Sequence, residues 1–274
     1  VIAITGANGY VGGMLRDAFA RRRVRVLRLV RRPAGPDDVA YDLSAPIDAA
    51  ALEGVETLIH AAHDFGPRGE AALAEVNLGG TRRLLDAAEG AGVSRVIFIS
   101  SLAAFDSAVS AYGRVKRAIE REVAARGGIS VRPGTIFGGA SGGVIGALER
   151  ASHAALVPDF GPRARLHLVH GADLVRVIER RIELSISAGE PMPVAHPRDF
   201  TLREIVETLA RGAGRRPRFV PCPPALALAG LRGAEAVGVA LAFRSDSLIG
   251  MLNGNPSPGL REEILGIRLR AFGE

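Results

Sequence analysis

A chain of 274 residues, 47% of them hydrophobic and 34 of them glycine, can bury a substantial core, which excludes a disordered or fibrous protein. Its net charge of +6 comes from 35 basic residues scattered among 29 acids, and with aromatics at 5% that excludes a dedicated nucleic-acid surface. The single cysteine, Cys222, excludes an internal disulfide, so a reducing compartment, the cytoplasm, is expected.

Val1 to Thr5 is a short apolar strand, and TGANGYVG (Thr5 to Gly12) leads from it into the helical pattern Val11, Leu15, Ala18, Phe19. Strand, glycine-rich turn and helix in that order form a phosphate cradle: Gly6 permits the tight turn, Gly9 lets the backbone approach a pyrophosphate, and Gly12 lets the helix pack closely. Asn8, Tyr10 and Val11 lie in the same turn and are expected to line the ligand. A second strand, Val24 to Val30, is followed by Arg31-Arg32. An acid at that place suits the ribose of NAD, whereas arginine suits the 2′-phosphate of NADP, so NADP is expected over NAD.

A third strand is expected to end at Tyr41-Asp42-Leu43, and Val55 to Ala62 reads as a strand buried on both faces. A long helix from about 68 to 91 contains Asn77-Leu78-Gly79-Gly80-Thr81, and the strand Val93 to Ile99 ends in Ser100-Ser101. The next helix carries Tyr112 and Lys116, the only lysine of the chain. Four-residue spacing stacks the two side chains on one helical face, where the ammonium is expected to draw the phenol pKa towards neutrality. Strand Ile129 to Arg132 closes with Pro133-Gly134. This alternation predicts a doubly wound parallel α/β sheet with its ligand crevice at the carboxyl ends of the strands.

Residues 138–165 are glycine-rich, read as a mobile lid or substrate loop with a short helix over 144–150. Leu166 to Val169, the helix Ala172 to Ile186 and Met192 to Ala195 return to the sheet domain. Thr201 and Glu204 form a capping box opening a helix through Ala210. The remainder predicts a short strand, an alanine-rich helix and a terminal helix near Ser257 to Leu265. The organisation is thus a dinucleotide-binding domain over 1–137 and 166–195, with a small, mostly α substrate lobe from 138–165 and 196–274. The apolar stretch Pro223 to Phe243, broken by Arg232 and Glu235, reads as a buried or half-buried helix rather than a membrane span, and no membrane partner is expected. His60 with His63, and His167 with His170, read as satisfied structural histidines, and no metal is expected.

Taken together, TGANGYVG, Asp42-Leu43, His60-Ala61-Ala62, NLGGT, Ser100-Ser101, YGRVK, RPG at Arg132 to Gly134, and His170 to Asp173 resemble the extended short-chain dehydrogenase/reductases, the NAD-dependent epimerase/dehydratase family. The resemblance implies a Rossmann-type fold and hydride transfer between nicotinamide and a carbonyl or alcohol. It makes Tyr112 the acid/base, Lys116 the group that binds the nicotinamide ribose, and Ser101 rather than Ser100 the partner of the reacting oxygen. It also places Asp42 and Leu43 beside the adenine, and Ala61, Ala62 and Pro133 along the cofactor. Asn77 either orders the site or holds its helix on the sheet.

Departures from the pattern bear on the substrate. Ser101-Leu102-Ala103 stands where nucleotide-sugar dehydratases carry threonine and two acids. Leu166 stands where nucleotide-sugar epimerases carry a diphosphate-binding arginine, and Thr135 where they carry asparagine. The expectation is therefore an NADP-preferring oxidoreductase of a small-molecule substrate, monomeric or homodimeric. The alternatives are a nucleotide-sugar epimerase or reductase using Arg163 or Arg165, and a non-catalytic NADP-binding sensor or assembly factor.

Overall fold

Seven strands, every neighbouring pair parallel, form the central sheet of the computed structural model, which describes residues 1–139, 142–184, 189–239 and 243–273. Ala140 and Ser141 of the expected lid, the end of the 172–186 helix, and residues 240–242 of the apolar stretch lie outside the described residues. In chain order the first half reads β1 (Ile2–Thr5), α1 (Tyr10–Arg21), β2 (Val26–Val30), β3 (Asp38–Ala40), β4 (Thr57–His60), α2 (Glu70–Gly90), β5 (Arg95–Ile99), α3 (Ala111–Ala125) and β6 (Ile129–Pro133). The second half reads β7 (Thr135–Phe137), α4 (Gly143–Ser152), β8 (Leu156–Asp159), β9 (Arg165–His170), α5 (Gly171–Glu183), β10 (Met192–Val194), β11 (Asp199–Thr201), α6 (Leu202–Gly212), β12 (Arg218–Pro221), α7 (Pro224–Ala236), α8 (Ser245–Leu252), β13 (Glu263–Ile264) and β14 (Ile267–Arg268).

The sheet order β3-β2-β1-β4-β5-β6-β10 reverses direction between β1 and β4, the topological switch point at which open α/β sheets bind ligands. Leu15 and Phe19 of α1 and Leu174 and Ile178 of α5 share one core with one face of the sheet. Leu84 of α2, and Val115 and Ile119 of α3, are buried against the other face. Continuous apolar runs such as Ile2 to Thr5 and Thr57 to His60 are buried throughout, as strands covered on both sides require. A second core, built from Ile145, Leu148, Val157, Leu168, Ile205 and Val206, joins α4, β8, β9 and α6.

Several local expectations are corrected. β3 ends at Ala40, not Leu43, because the Asp42 carboxylate accepts the N–H and hydroxyl of Ser44 at 2.8 and 2.5 Å and turns the chain. The described part of the expected lid is built into the second core through α4 and β8. In place of a terminal helix, β13 and β14 form a hairpin. Its two-residue turn has Leu265 and Gly266 at φ +53° and +77°, and both central residues of the tight turn that suits strand twist adopt positive φ. The capping box is present as expected, with Glu204 N–H donating to Thr201 and the Glu204 carboxylate accepting from Thr201 N–H.

Candidate active site

The glycine turn opens the site. Gly6 sits at φ +64°, and a Cβ on Gly12 would lie 2.2 Å from the Gly6 carbonyl oxygen, so α1 approaches the turn more closely than any side chain permits. The first turn of α1 carries no acid, which leaves its N-terminal N–H groups and dipole open to an anion. Gly6, Asn8, Gly9, Tyr10, Val11 and Gly12 line one end of a cleft of about 1520 Å³. Arg31 and Arg32, exposed at the end of β2, line the same end with Asp42 and Leu43. Hydrogen bonds from Ser44, reinforced by the charge of Arg31, hold the Asp42 carboxyl below the usual carboxylate range.

The end of β4 is tied to this turn by one hydroxyl. Thr5 Oγ1 accepts from the N–H groups of Ala61 and Ala62 at 3.1 and 3.0 Å, so its own proton goes to His60 Nδ1 at 2.7 Å. His60 Nε2–H then donates to Thr81 Oγ1 at 2.9 Å, and Thr81 donates to Asn77 O at 2.7 Å. The chain of donors fixes a neutral tautomer, and burial, aided by the Lys116 charge, lowers the His60 pKa to about 3. The linkage sign follows: between about pH 6.5 and 3 the unfolded chain binds a proton that the folded chain refuses, so stability falls with falling pH, by about 1.4 kcal/mol per unit from this group. Chemical denaturation from pH 7 to 5 should show that slope, and His60→Gln should flatten it. An unchanged slope in the variant would refute the assignment.

Asn77 holds the following loop. Its Oδ1 accepts from Asp64 N–H at 2.8 Å, and its Nδ2 donates to Asp64 O and Leu73 O, both at 2.9 Å. Of the two readings of Asn77, the geometry is that of a clamp between α2 and the loop past β4.

The second wall comes from β5 and α3. Ser110 caps α3 by accepting from Gly113 N–H, and Asp246 of α8 accepts from the N–H groups of Ala111 and Tyr112 at 2.8 and 3.0 Å. A Cβ on Gly113 would lie 2.3 Å from Ala103 O, so this glycine lets the start of α3 lie against the 101–103 loop. Ser100 Oγ donates to Glu120 at 2.6 Å and is occupied, whereas the Ser101 hydroxyl lies against Tyr112. Lys116 is 3% exposed; its Nζ donates to Ile99 O at 2.8 Å and lies 4.6 Å from the centroid of Phe98. Ser101, Tyr112, Lys116, Ala61, Ala62 and Pro133 all line the cleft.

The expected phenolate is not what the environment favours. Burial pushes the Tyr112 pKa up to about 12, opposed by its hydrogen bond with Ser101, and burial lowers Lys116 to about 7, opposed by the charge of Glu120. Desolvation outweighs the Ser101 hydrogen bond here, so the environment of Tyr112 favours the neutral phenol.

Three features were not anticipated. His63 is not satisfied: both ring nitrogens are buried without a hydrogen-bond partner, and the ring stands edge-on to Tyr112 at 5.1 Å and to Phe65 at 4.6 Å. Phe65 stacks on Tyr112 at 5.7 Å. Arg244, from the far end of the chain, donates to Phe65 O and fixes that loop. Nothing local in the sequence marks these contacts, since they join the segments around 63, 112 and 245. Arg165, one of the two proposed diphosphate anchors, is engaged by both oxygens of Asp199 at 2.8 and 2.9 Å. Arg163 is exposed at the cleft rim.

Comparison with known proteins agrees with this architecture. The model of the NAD dependent epimerase/dehydratase family matches residues 2–190. The chain belongs to this family. A ceramide reductase of Caulobacter vibrioides is 31% identical over 243 residues, covering 84% of this chain and 76% of the relative. A divinyl chlorophyllide a 8-vinyl-reductase of Zea mays is 26% identical, covering 81% of this chain and 61% of the relative. Among solved structures, MoeE5 in complex with UDP-glucose and NAD superposes with TM-score 0.70 at 23% identity, over 81% of this chain and 85% of the other, a likeness of fold.

Proposed function

We propose that the protein is an NADP-dependent reductase of a carbonyl group on a largely apolar, lipid-like substrate. The observation that carries this reading is that Ser101, Tyr112 and Lys116 line the same cleft as the glycine turn and Arg31-Arg32. The residues fit a nicotinamide dinucleotide: the Gly6–Gly12 approach leaves bare backbone where a pyrophosphate would lie, and two exposed guanidinium groups suit a 2′-phosphate. The bound cofactor would supply a hydride to the carbonyl carbon. Tyr112 would donate its proton to the carbonyl oxygen, and a phenol with a pKa near 12 is in the donating form at neutral pH. Ser101 would hydrogen-bond the same oxygen as negative charge develops, and Lys116, anchored on Ile99 O, would hold the ribose.

An apolar substrate is supported by the lining of Phe65, Leu102, Val144, Ile145 and Met251, by the pairing of Arg165 with Asp199, and by the identity with a ceramide reductase. NADPH oxidation should be driven by long-chain ketones presented in mixed micelles and not by uridine diphosphate sugars; turnover of the sugars alone would overturn the substrate half. Arg31→Ala combined with Arg32→Ala should weaken NADPH binding by about tenfold or more and leave NADH unchanged in calorimetry. Equal losses for the two cofactors would overturn the NADP half.

A further inference from the structure

α7 is the only helix among the described residues with no buried side chain. Half-buried positions at Pro224, Ala227, Leu228, Leu231 and Ala234 rest on the lobe. The opposite side shows Ala225, Leu226, Ala229, Gly230, Ala236 and Val237, interrupted by Arg232. The expectation of a buried or half-buried helix therefore holds for one side only. Leu226 is 67% and Val237 79% exposed, and Val239 follows them into solvent. In the two-stranded β8–β12 sheet, Val157 and Phe219 pair and face the second core, which turns Leu156 and Val220 outward. Five of the nine exposed large hydrophobic residues among the described ones thus fall on this lobe, whose β12 runs directly into α7; a soluble surface does not normally gather them so.

Charge selects what covers this face. From 211 to 239 the chain carries Arg211, Arg215, Arg216, Arg218 and Arg232, all exposed, against one acid, Glu235. Glu235 is engaged by the N–H and hydroxyl of Ser245 at 2.8 and 2.7 Å. A second copy of the chain would bring arginines against arginines, whereas an anionic phospholipid surface satisfies the basic and the apolar residues together. At 13 residues, α7 is about 20 Å long, too short to cross a bilayer, in keeping with the exclusion of a span.

We propose that α7 and its flanking arginines dock this protein on the surface of anionic phospholipid bilayers, with Leu226 and Val237 entering the interface. Glu235 and Ser245 also line the active-site cleft, so docking sets the mouth of the cleft beside the lipid. That an apolar substrate enters from the bilayer rests on the function proposed above; the docking itself does not.

The test is co-sedimentation of the purified protein, without cofactor or substrate, with vesicles of phosphatidylglycerol and phosphatidylcholine in equal parts and with vesicles of phosphatidylcholine alone. Binding should be at least about tenfold stronger to the anionic vesicles and weaken as salt rises. Leu226→Asp with Val237→Asp should lower it about tenfold or more while the far-ultraviolet spectrum and melting temperature stay those of the parent. Arg215→Glu with Arg216→Glu, which leaves the apolar residues of α7 unchanged, should weaken it independently. No binding to anionic vesicles at low salt, binding indifferent to both pairs of substitutions, or a dimer that only the aspartate variant dissolves would each overturn the proposal. Vesicle binding without ketone reduction would leave docking standing and refute only the reading of the substrate.

Discussion

Tyr112→Phe should lower kcat by roughly 10²–10⁴-fold while the dissociation constant for NADPH stays within about twofold of the parent. The substitution removes one hydroxyl and keeps the ring that stacks on Phe65, meets the edge of His63 and lies 5.8 Å from Lys116 Nζ. Packing is retained, so a loss of turnover reports the proton and the Ser101 hydrogen bond rather than a collapsed wall. Steady-state rates with a ketone substrate, paired with calorimetry of NADPH, make the separation. Turnover above about a tenth of the parent would remove Tyr112 from the proton step and leave the fold reading untouched.

Glu120→Ala should have the largest effect on stability, about 3 kcal/mol or more. The carboxylate is 1% exposed and accepts from Arg132 Nε and Nη2 at 2.7 and 2.6 Å, from Ser100 Oγ at 2.6 Å and from Arg117 at 3.3 Å. Removing it leaves the largely buried Arg132 guanidinium without its counter-charge and frees the hydroxyl next to Ser101. Urea denaturation measures the cost. The double variant Glu120→Leu with Arg132→Met should recover much of it, because replacing both ions with apolar groups removes the unpaired charge. A single-variant loss below about 1 kcal/mol would mean that the network is screened and contributes little.

The legible part of this protein was the part written in consecutive residues. A glycine turn between an apolar strand and an amphipathic helix, buried strands recurring after each helix, and a capping box at Thr201 are patterns that neighbouring residues impose on one another, so fold and sheet domain could be read directly. The positions that line the cleft were also legible, because the carboxyl ends of parallel strands meet at one edge of the sheet. The terminal hairpin was misread as a helix because the pattern around Ser257 to Leu265 outweighed Gly266, whose positive φ marks the turn. The environment of Tyr112 was misread for a different reason. Spacing places an ammonium four residues away, but how far Phe65, His63 and Phe98 strip water from both groups depends on segments far apart in the chain.

The sequence by itself determined the alternating α/β architecture, the glycine-rich turn between the first strand and helix, and the pairing of a tyrosine with the only lysine, since each rests on short-range periodicity and steric rules. Tertiary structure alone decided that Asp246 caps the Tyr112 helix, that Arg165 is held by Asp199, that His63 stands unpartnered beside the phenol, and that α7 lies on the surface. Each of these is a contact, or a missing contact, between distant segments, and desolvation and charge pairing act through space rather than along the chain.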